Sequence, residues 1–217
     1  MKKILFMLVT VLLLVGCNKE TKINTEYDSL QLEVVGTISA GCTSDEDTYL
    51  SHHYKDKHIY KFDYKNNLEY YASDIWVIYN TKDSQYLSMD RGTTFEKLEE
   101  SEFERNYRAL FEELLDYINE SDKTIIDDDN DSTTYEILLI GKETRIFEIV
   151  KKFGITNNDQ IINDIKVLVT VDSKGNITQI KFELKTKVSQ EIDIQNCYNV
   201  YWNLSDYNEI NIELPKE

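Results

Sequence analysis

The sequence predicts an α+β fold: one large curved antiparallel sheet, a half-barrel, with two or three helices across its concave face. Short runs of alternating apolar and polar residues, separated by turns rich in Asn, Asp and Ser, recur toward both ends of the chain. Two stretches between them change to a spacing of three and four residues. Many strands with few helices have one economical arrangement: the helices bury their apolar stripes against one sheet face, and strand twist curls the sheet around them.

Leu30, Leu32 and Val34 alternate with Gln31 and Glu33, giving a first strand, and Ser39 to Asp47 reads as a loop. Tyr60, Phe62 and Tyr64 then alternate with Lys61 and Asp63. Lys65-Asn66-Asn67 turns the chain, and Leu68 to Ala72 pairs back. Ile75 to Tyr79 follows, and Asn80 to Ser84 turns into Gln85 to Met89. Connections this short make the strands antiparallel.

Between Thr93 and Ile118 the apolar residues Phe103, Tyr107, Leu110, Phe111, Leu114 and Ile118 recur at helical spacing. Thr93 to Glu96 and Ser101 to Glu104 each fit a capping box, which predicts two helical pieces with a joint near Glu100. Ser121 to Thr134, with its run of acids, reads as an exposed loop, and Tyr135 to Ile140 as a strand. Ile146, Phe147, Val150 and Phe153 form a second helical stripe. Lys151 and Lys152 suit its C-terminal end, and Gly154 suits the position after it.

The chain closes as a meander. Ile165, Val167, Val169 and Val171 share a face, Asp172 to Asn176 turns, and Ile180, Phe182 and Leu184 share the next face. Ile192, Ile194, Tyr198, Val200, Trp202 and Leu204 follow, which puts Cys197 on the wetter side. Ile210, Ile212 and Leu214 read as a last strand before Pro215.

The first residues set the location. Met1-Lys2-Lys3 is basic, Ile4 to Gly16 is apolar apart from Thr10, and Leu14-Val15-Gly16-Cys17 ends the run. The run is too short for a stable membrane-spanning helix. It resembles a bacterial lipoprotein signal peptide with its lipobox. That resemblance implies removal of residues 1–16 and diacylation of Cys17 with palmitate-like chains, enough for stable anchoring to the outer face of the cell membrane. The alternative is an ordinary secretory signal in which Cys17 is incidental. Residues 17–28 then read as a lipidated tether, reaching at most about 40 Å, and residues 29–217 as one domain.

Without residues 1–16 the chain has 201 of its 217 residues, and its formal charge moves from −16 to −18, since the leader holds Lys2, Lys3 and no acid. So acidic a surface repels phosphate backbones, excluding nucleic acid as a partner, and repels anionic headgroups, so attachment must come from the lipid. Cys42 and Cys197 could pair outside the membrane, worth up to about 5 kcal/mol in the chain-entropy model, or stay as two thiols.

Val169 to Ile180 resembles the central hairpin of LolA-like lipoproteins. Asn203 to Pro215 resembles the closing strand pair of the LppX/LprG group and of related small lipoproteins from Gram-positive bacteria. The resemblance implies a half-barrel that holds acyl chains or lipidated proteins between sheet and helices, with no catalytic residues. The ligand-lining candidates are then Phe103, Tyr107, Leu110, Phe111, Leu114, Phe147 and Val150. The N-terminal meander departs from the pattern, placing tyrosine hydroxyls where an acyl cleft favours aliphatic side chains.

Other candidates have plainer readings. His52, His53 and His58 lie within seven residues, but a strand would point the first two to opposite faces and separate His52 from His58 by about 20 Å. They are expected to be exposed and unliganded. Asp127, Asp129 and Asp131 have the first spacings of a calcium loop, yet Ser132 stands where its glycine belongs and Leu138 where its glutamate belongs. No G-x-S-x-G, H-E-x-x-H, P-loop or S-x-x-K occurs, so neither an enzyme nor a cofactor is expected. The leading expectation is a binding protein for an apolar ligand or lipid. The alternative is a surface interaction module with a filled core that contacts another envelope protein.

Overall fold

The computed structural model describes residues 22–40, 51–52, 57–98, 106–129, 131–153, 161–187 and 195–215. Five short or moderate strands follow the first one: β1 (Ser29–Ala40), β2 (Ser51–His52), β3 (Lys57–Asp63), β4 (Leu68–Ala72), β5 (Val77–Asn80) and β6 (Gln85–Ser88). Then come β7 (Glu96–Leu98), helix α1 (Tyr107–Glu120), the hairpin β8 (Lys123–Asp128) and β9 (Ser132–Ile137), and helix α2 (Glu143–Lys152). β10 (Ile161–Asp172), β11 (Ile177–Lys187) and β12 (Gln195–Ser205) complete the sheet. Its order is β7-β6-β5-β4-β3-β1-β12-β11-β10-β9-β8, with β2 paired to β1 off this path. Every strand pairing is antiparallel, and the sheet is open, with β7 and β8 at its edges.

The first and last strands meet in the middle. β1 pairs with β12 so that Val34 faces Trp202 and Ser39 faces Cys197. Because side chains alternate between faces, one inward row runs from His58 through Val34, Trp202, Ile180, Val169 and Tyr135 to Ile125. The residues from Val34 to Tyr135 are buried, whereas Ile125, on the edge strand, is 43% exposed. The two helices cover the central strands and leave this rim open.

Asn106 caps α1 by accepting a hydrogen bond from the Ala109 amide at 3.0 Å. α1 buries Tyr107, Phe111, Leu114, Leu115 and Ile118, a stripe at helical spacing. α2 buries Ile146, Phe147, Ile149 and Val150, with Glu143 in its first turn and Lys151 and Lys152 in its last. Among the described residues there are two helices, against two or three expected.

Several expectations need correction. Thr93 to Glu96 does not start a helix. Asp90 instead gathers the Ser88 hydroxyl (2.7 Å), the Thr93 and Thr94 amides (3.1 and 2.9 Å) and the Thr94 hydroxyl (2.7 Å), which closes a turn through Gly92 at φ +84°. A carboxylate that satisfies nearby amides directs the chain away from a helix. The second capping box, Phe103 and Gly154 lie outside the described residues. The acidic stretch 121–134 is mainly the β8–β9 hairpin, turned where Asp129 accepts from the Asp131 and Ser132 amides at 2.8 and 2.7 Å. Ile210 to Leu214 is not a strand: Asp206 and Asn208 adopt positive φ and end β12, although Ile212 still buries its side chain.

The N-terminal boundary also moves. Residues 22–28, expected within a free tether, are docked on the domain: Ile23 is 4% exposed, and the Asn24 amide donates to the Gly175 carbonyl at 2.8 Å.

Candidate functional site

The seam between helices and sheet is aromatic. β3 supplies Tyr60 and Phe62, β4 Tyr71, β11 Phe182 and β12 Trp202. α1 supplies Tyr107 and Phe111, and Phe153 ends α2. Their placement follows from strand parity and register: Tyr60 faces Tyr71 across β3–β4, and Trp202 is flanked by Val34 and Ile180. Trp202 approaches Phe153 at 4.4 Å between ring centroids, Phe182 at 4.9 Å and Phe111 at 6.1 Å. Tyr60 meets Tyr107 and Phe153 edge-on, each at 4.8 Å. These tilted and edge-to-face geometries are the favoured ones for aromatic pairs. The Tyr60 hydroxyl donates to the Phe153 carbonyl at 3.3 Å, so one polar tip is satisfied inside the seam, whereas Trp202 Nε1 is buried without a hydrogen-bond partner.

Six of the seven expected ligand-lining residues meet here. Tyr107, Phe111, Leu114, Phe147 and Val150 are buried in the common core, and Leu110 is half-buried against it. Phe103 lies outside the described residues, as do Cys17 and Cys42. Cys197 is disulfide-bonded, on the outer, half-exposed face of β12. Its partner is outside the described residues. His58 departs from its expected exposure: it is half-buried on the inner face, its Nδ1 hydrogen-bonded to the Tyr71 hydroxyl at 3.0 Å and its ring stacked near Tyr71 and Tyr60. Among the described residues no group of three or more His, Cys, Asp or Glu could hold a metal ion, and no helix is long and apolar enough to cross a membrane.

Sequence reasoning missed a polar cluster beside the seam. Glu69, Asn80 and Gln85 are neighbours across β4, β5 and β6. Gln85 is only 2% exposed and donates through Nε2 to Asn80 Oδ1 at 2.6 Å, while its Oε1 and the Glu69 Oε2 have no hydrogen-bond partner. Arg108, on the first turn of α1, lies 3.8 Å from Glu69 and donates to Asn67 at 2.5 Å. Burial raises the Glu69 carboxyl above its usual range, and the Arg108 guanidinium opposes the rise. Each of these residues reads as an ordinary polar position in a strand or helix; only the register between strands brings them together. The two helices are clipped by a bidentate pair, Arg145 Nε and Nη2 to the Glu113 carboxylate at 2.7 and 2.6 Å.

No family model matches the chain, and no curated protein matches it. Among solved structures the chain is similar to a LolA superfamily protein from Nitrosomonas europaea, at 12% identity over 90% of this chain and 92% of that one, with a TM-score of 0.27. The fold described above therefore stands on this chain's own strand order and registers.

Proposed function

We propose that this chain is a non-enzymatic lipoprotein, held on the outer face of the cell membrane through acylated Cys17, that takes an apolar ligand between its helices and sheet. The observation that supports ligand uptake is the seam itself. Two amphipathic helices, joined to each other by an exposed ion pair, lay aromatic and aliphatic stripes on an open sheet whose inward row stays apolar out to Ile125. Small-molecule sites of this kind are mostly apolar with few polar groups to orient the ligand, and the Tyr60, Tyr107 and Trp202 tips are the polar groups at hand. The leader and the resemblance to LolA-like lipoproteins support the location. The ligand reading is tested by titrating the protein with a fluorescent fatty acid. Saturable binding that is lost in Leu114→Trp, which fills the seam, is the expected result. Incorporation of labelled fatty acid that disappears in Cys17→Ala is the expected result for the anchor.

A second reading has its own support. Ring contacts of 4.4 to 4.9 Å around Trp202 and Tyr60 are those of a filled core. In that case the domain acts as an interaction module for an envelope protein, and fatty acid will not bind.

A further inference from the structure

Residues 22–28 form a strap docked on one end of the sheet. The Asn24 amide donates to the Gly175 carbonyl at 2.8 Å, and Asn24 Nδ2 donates to Asn176 Oδ1 at 3.2 Å. The Asp28 amide donates to Asn208 Oδ1 at 2.7 Å, and the Tyr64 amide donates to the Asp28 carbonyl at 2.9 Å. The strap thus ties together three turns: 172–176 between β10 and β11, 206–209 after β12, and 64–67 between β3 and β4. All three lie at the end of the sheet where Ser29 pairs with Asp63 and Gln31 with Ser205. At the opposite end Ala40 pairs with Asn196, and Lys187 pairs with both Gln195 and Ile161.

Five residues separate Cys17 from buried Ile23. Six peptide steps span at most about 21 Å, half the reach expected of a free tether. An eleven-residue strand such as β12 is about 35 Å long, so the docked strap holds its own end of the sheet within the tether's reach of the surface, whereas the tether does not hold the far end there.

We propose that the strap end, made of turns 64–67, 172–176 and 206–209, faces the bilayer and that the end carrying Cys197 points away from it. This rests on acylation of Cys17. The strap and these turns hold five acids and three lysines, so the short chain sets the orientation, and attraction to anionic headgroups does not.

The test uses the full acylated chain in phosphatidylcholine vesicles that contain a lipid with a quencher on its headgroup. A fluorophore is placed at Lys174→Cys, on the strap end, or at Ile161→Cys, on the far end. Incorporation of labelled fatty acid at Cys17 is checked first; its absence overturns the anchor and the orientation together. With acylation established, loss of fluorescence at position 174 and its retention at position 161 are the expected outcomes. Equal quenching at both positions, or stronger quenching at 161, overturns the orientation while leaving the anchor intact. Inserting a 20-residue Gly-Ser linker between Lys19 and Glu20, which adds about 25 Å of mean reach, should restore fluorescence at 174. Persistent quenching at 174 with the linker in place would show that headgroup contact, and not tether length, sets the orientation.

Discussion

The Phe153 and Trp202 rings lie 4.4 Å apart, joining the end of α2 to the central strand β12. Trp202 also packs against Phe182 and Phe111, so one side chain links both helical layers to the sheet floor. Trp202→Ala should destabilise the domain by about 3–5 kcal/mol, the usual range for removing a buried large aromatic. Trp202→Phe should cost clearly less, because it keeps most of the apolar volume. Urea unfolding measures both; the midpoint should fall with little change in slope.

The Arg145–Glu113 pair should be modest in energy despite its good geometry, because both side chains remain partly exposed. A double-mutant cycle with Glu113→Gln and Arg145→Gln should give a coupling of about 0.5–1 kcal/mol at low salt, largely screened at about 1 M salt. The Arg145 hydrogen bonds hold the Glu113 carboxyl below its usual range. A lowered carboxyl stabilises the fold above its unfolded pKa, so the coupling should fade as pH drops below the ordinary glutamate range.

Asp90 controls the turn that the sequence suggests is a helix start. Hydrogen bonds from Ser88, and then from Thr94, lower its carboxyl to about 2. The turn should therefore be fully formed above about pH 4, near the unfolded value for aspartate, and should loosen as pH falls toward about 2. Amide shifts of Gly92 and Thr94 followed by NMR report this. Ser88→Ala, which also removes the acceptor of the Gly92 amide at 2.8 Å, should move the midpoint upward.

The strap should respond to alkali. Burial pushes the Tyr27 hydroxyl up to about 12, and Asp172 nearby adds to the rise. Burial also raises Tyr207, whose ring lies 4.7 Å from that of Tyr27. A raised phenol favours the folded state below its ordinary value of about 10, and that contribution is lost as pH climbs from about 10 toward about 12. Ultraviolet titration should show late-ionising tyrosines, one fewer of them in Tyr27→Phe, and strap undocking should begin with their ionisation.

Much of the sheet was legible because its inner face is apolar and its outer face wet. Tyr60 and Phe62 in β3, Val167 to Val171 in β10, and Trp202 and Leu204 in β12 alternate cleanly. β8 was not legible because an edge strand with mostly exposed side chains needs no alternation: Lys123 to Asp128 reads as acidic loop yet pairs along β9. The helix stripe gave Tyr107, Phe111 and Leu114 correctly, but its start was misplaced because the Asp90 carboxylate draws the Thr93 and Thr94 amides into a turn. The docking of Val34 on Trp202, and of Asn24 on Asn176, joins residues about 150 or more apart. Alternation shows which face each residue takes, but no short turn joins these segments to show which of them pair.

Native mass spectrometry of the full chain purified from its own host tests the ligand reading most directly. A co-purified apolar molecule, released by Leu114→Trp while the fold persists, is the predicted result. A wild-type protein that carries no apolar molecule held without a covalent bond, and that takes up no added fatty acid, would contradict it.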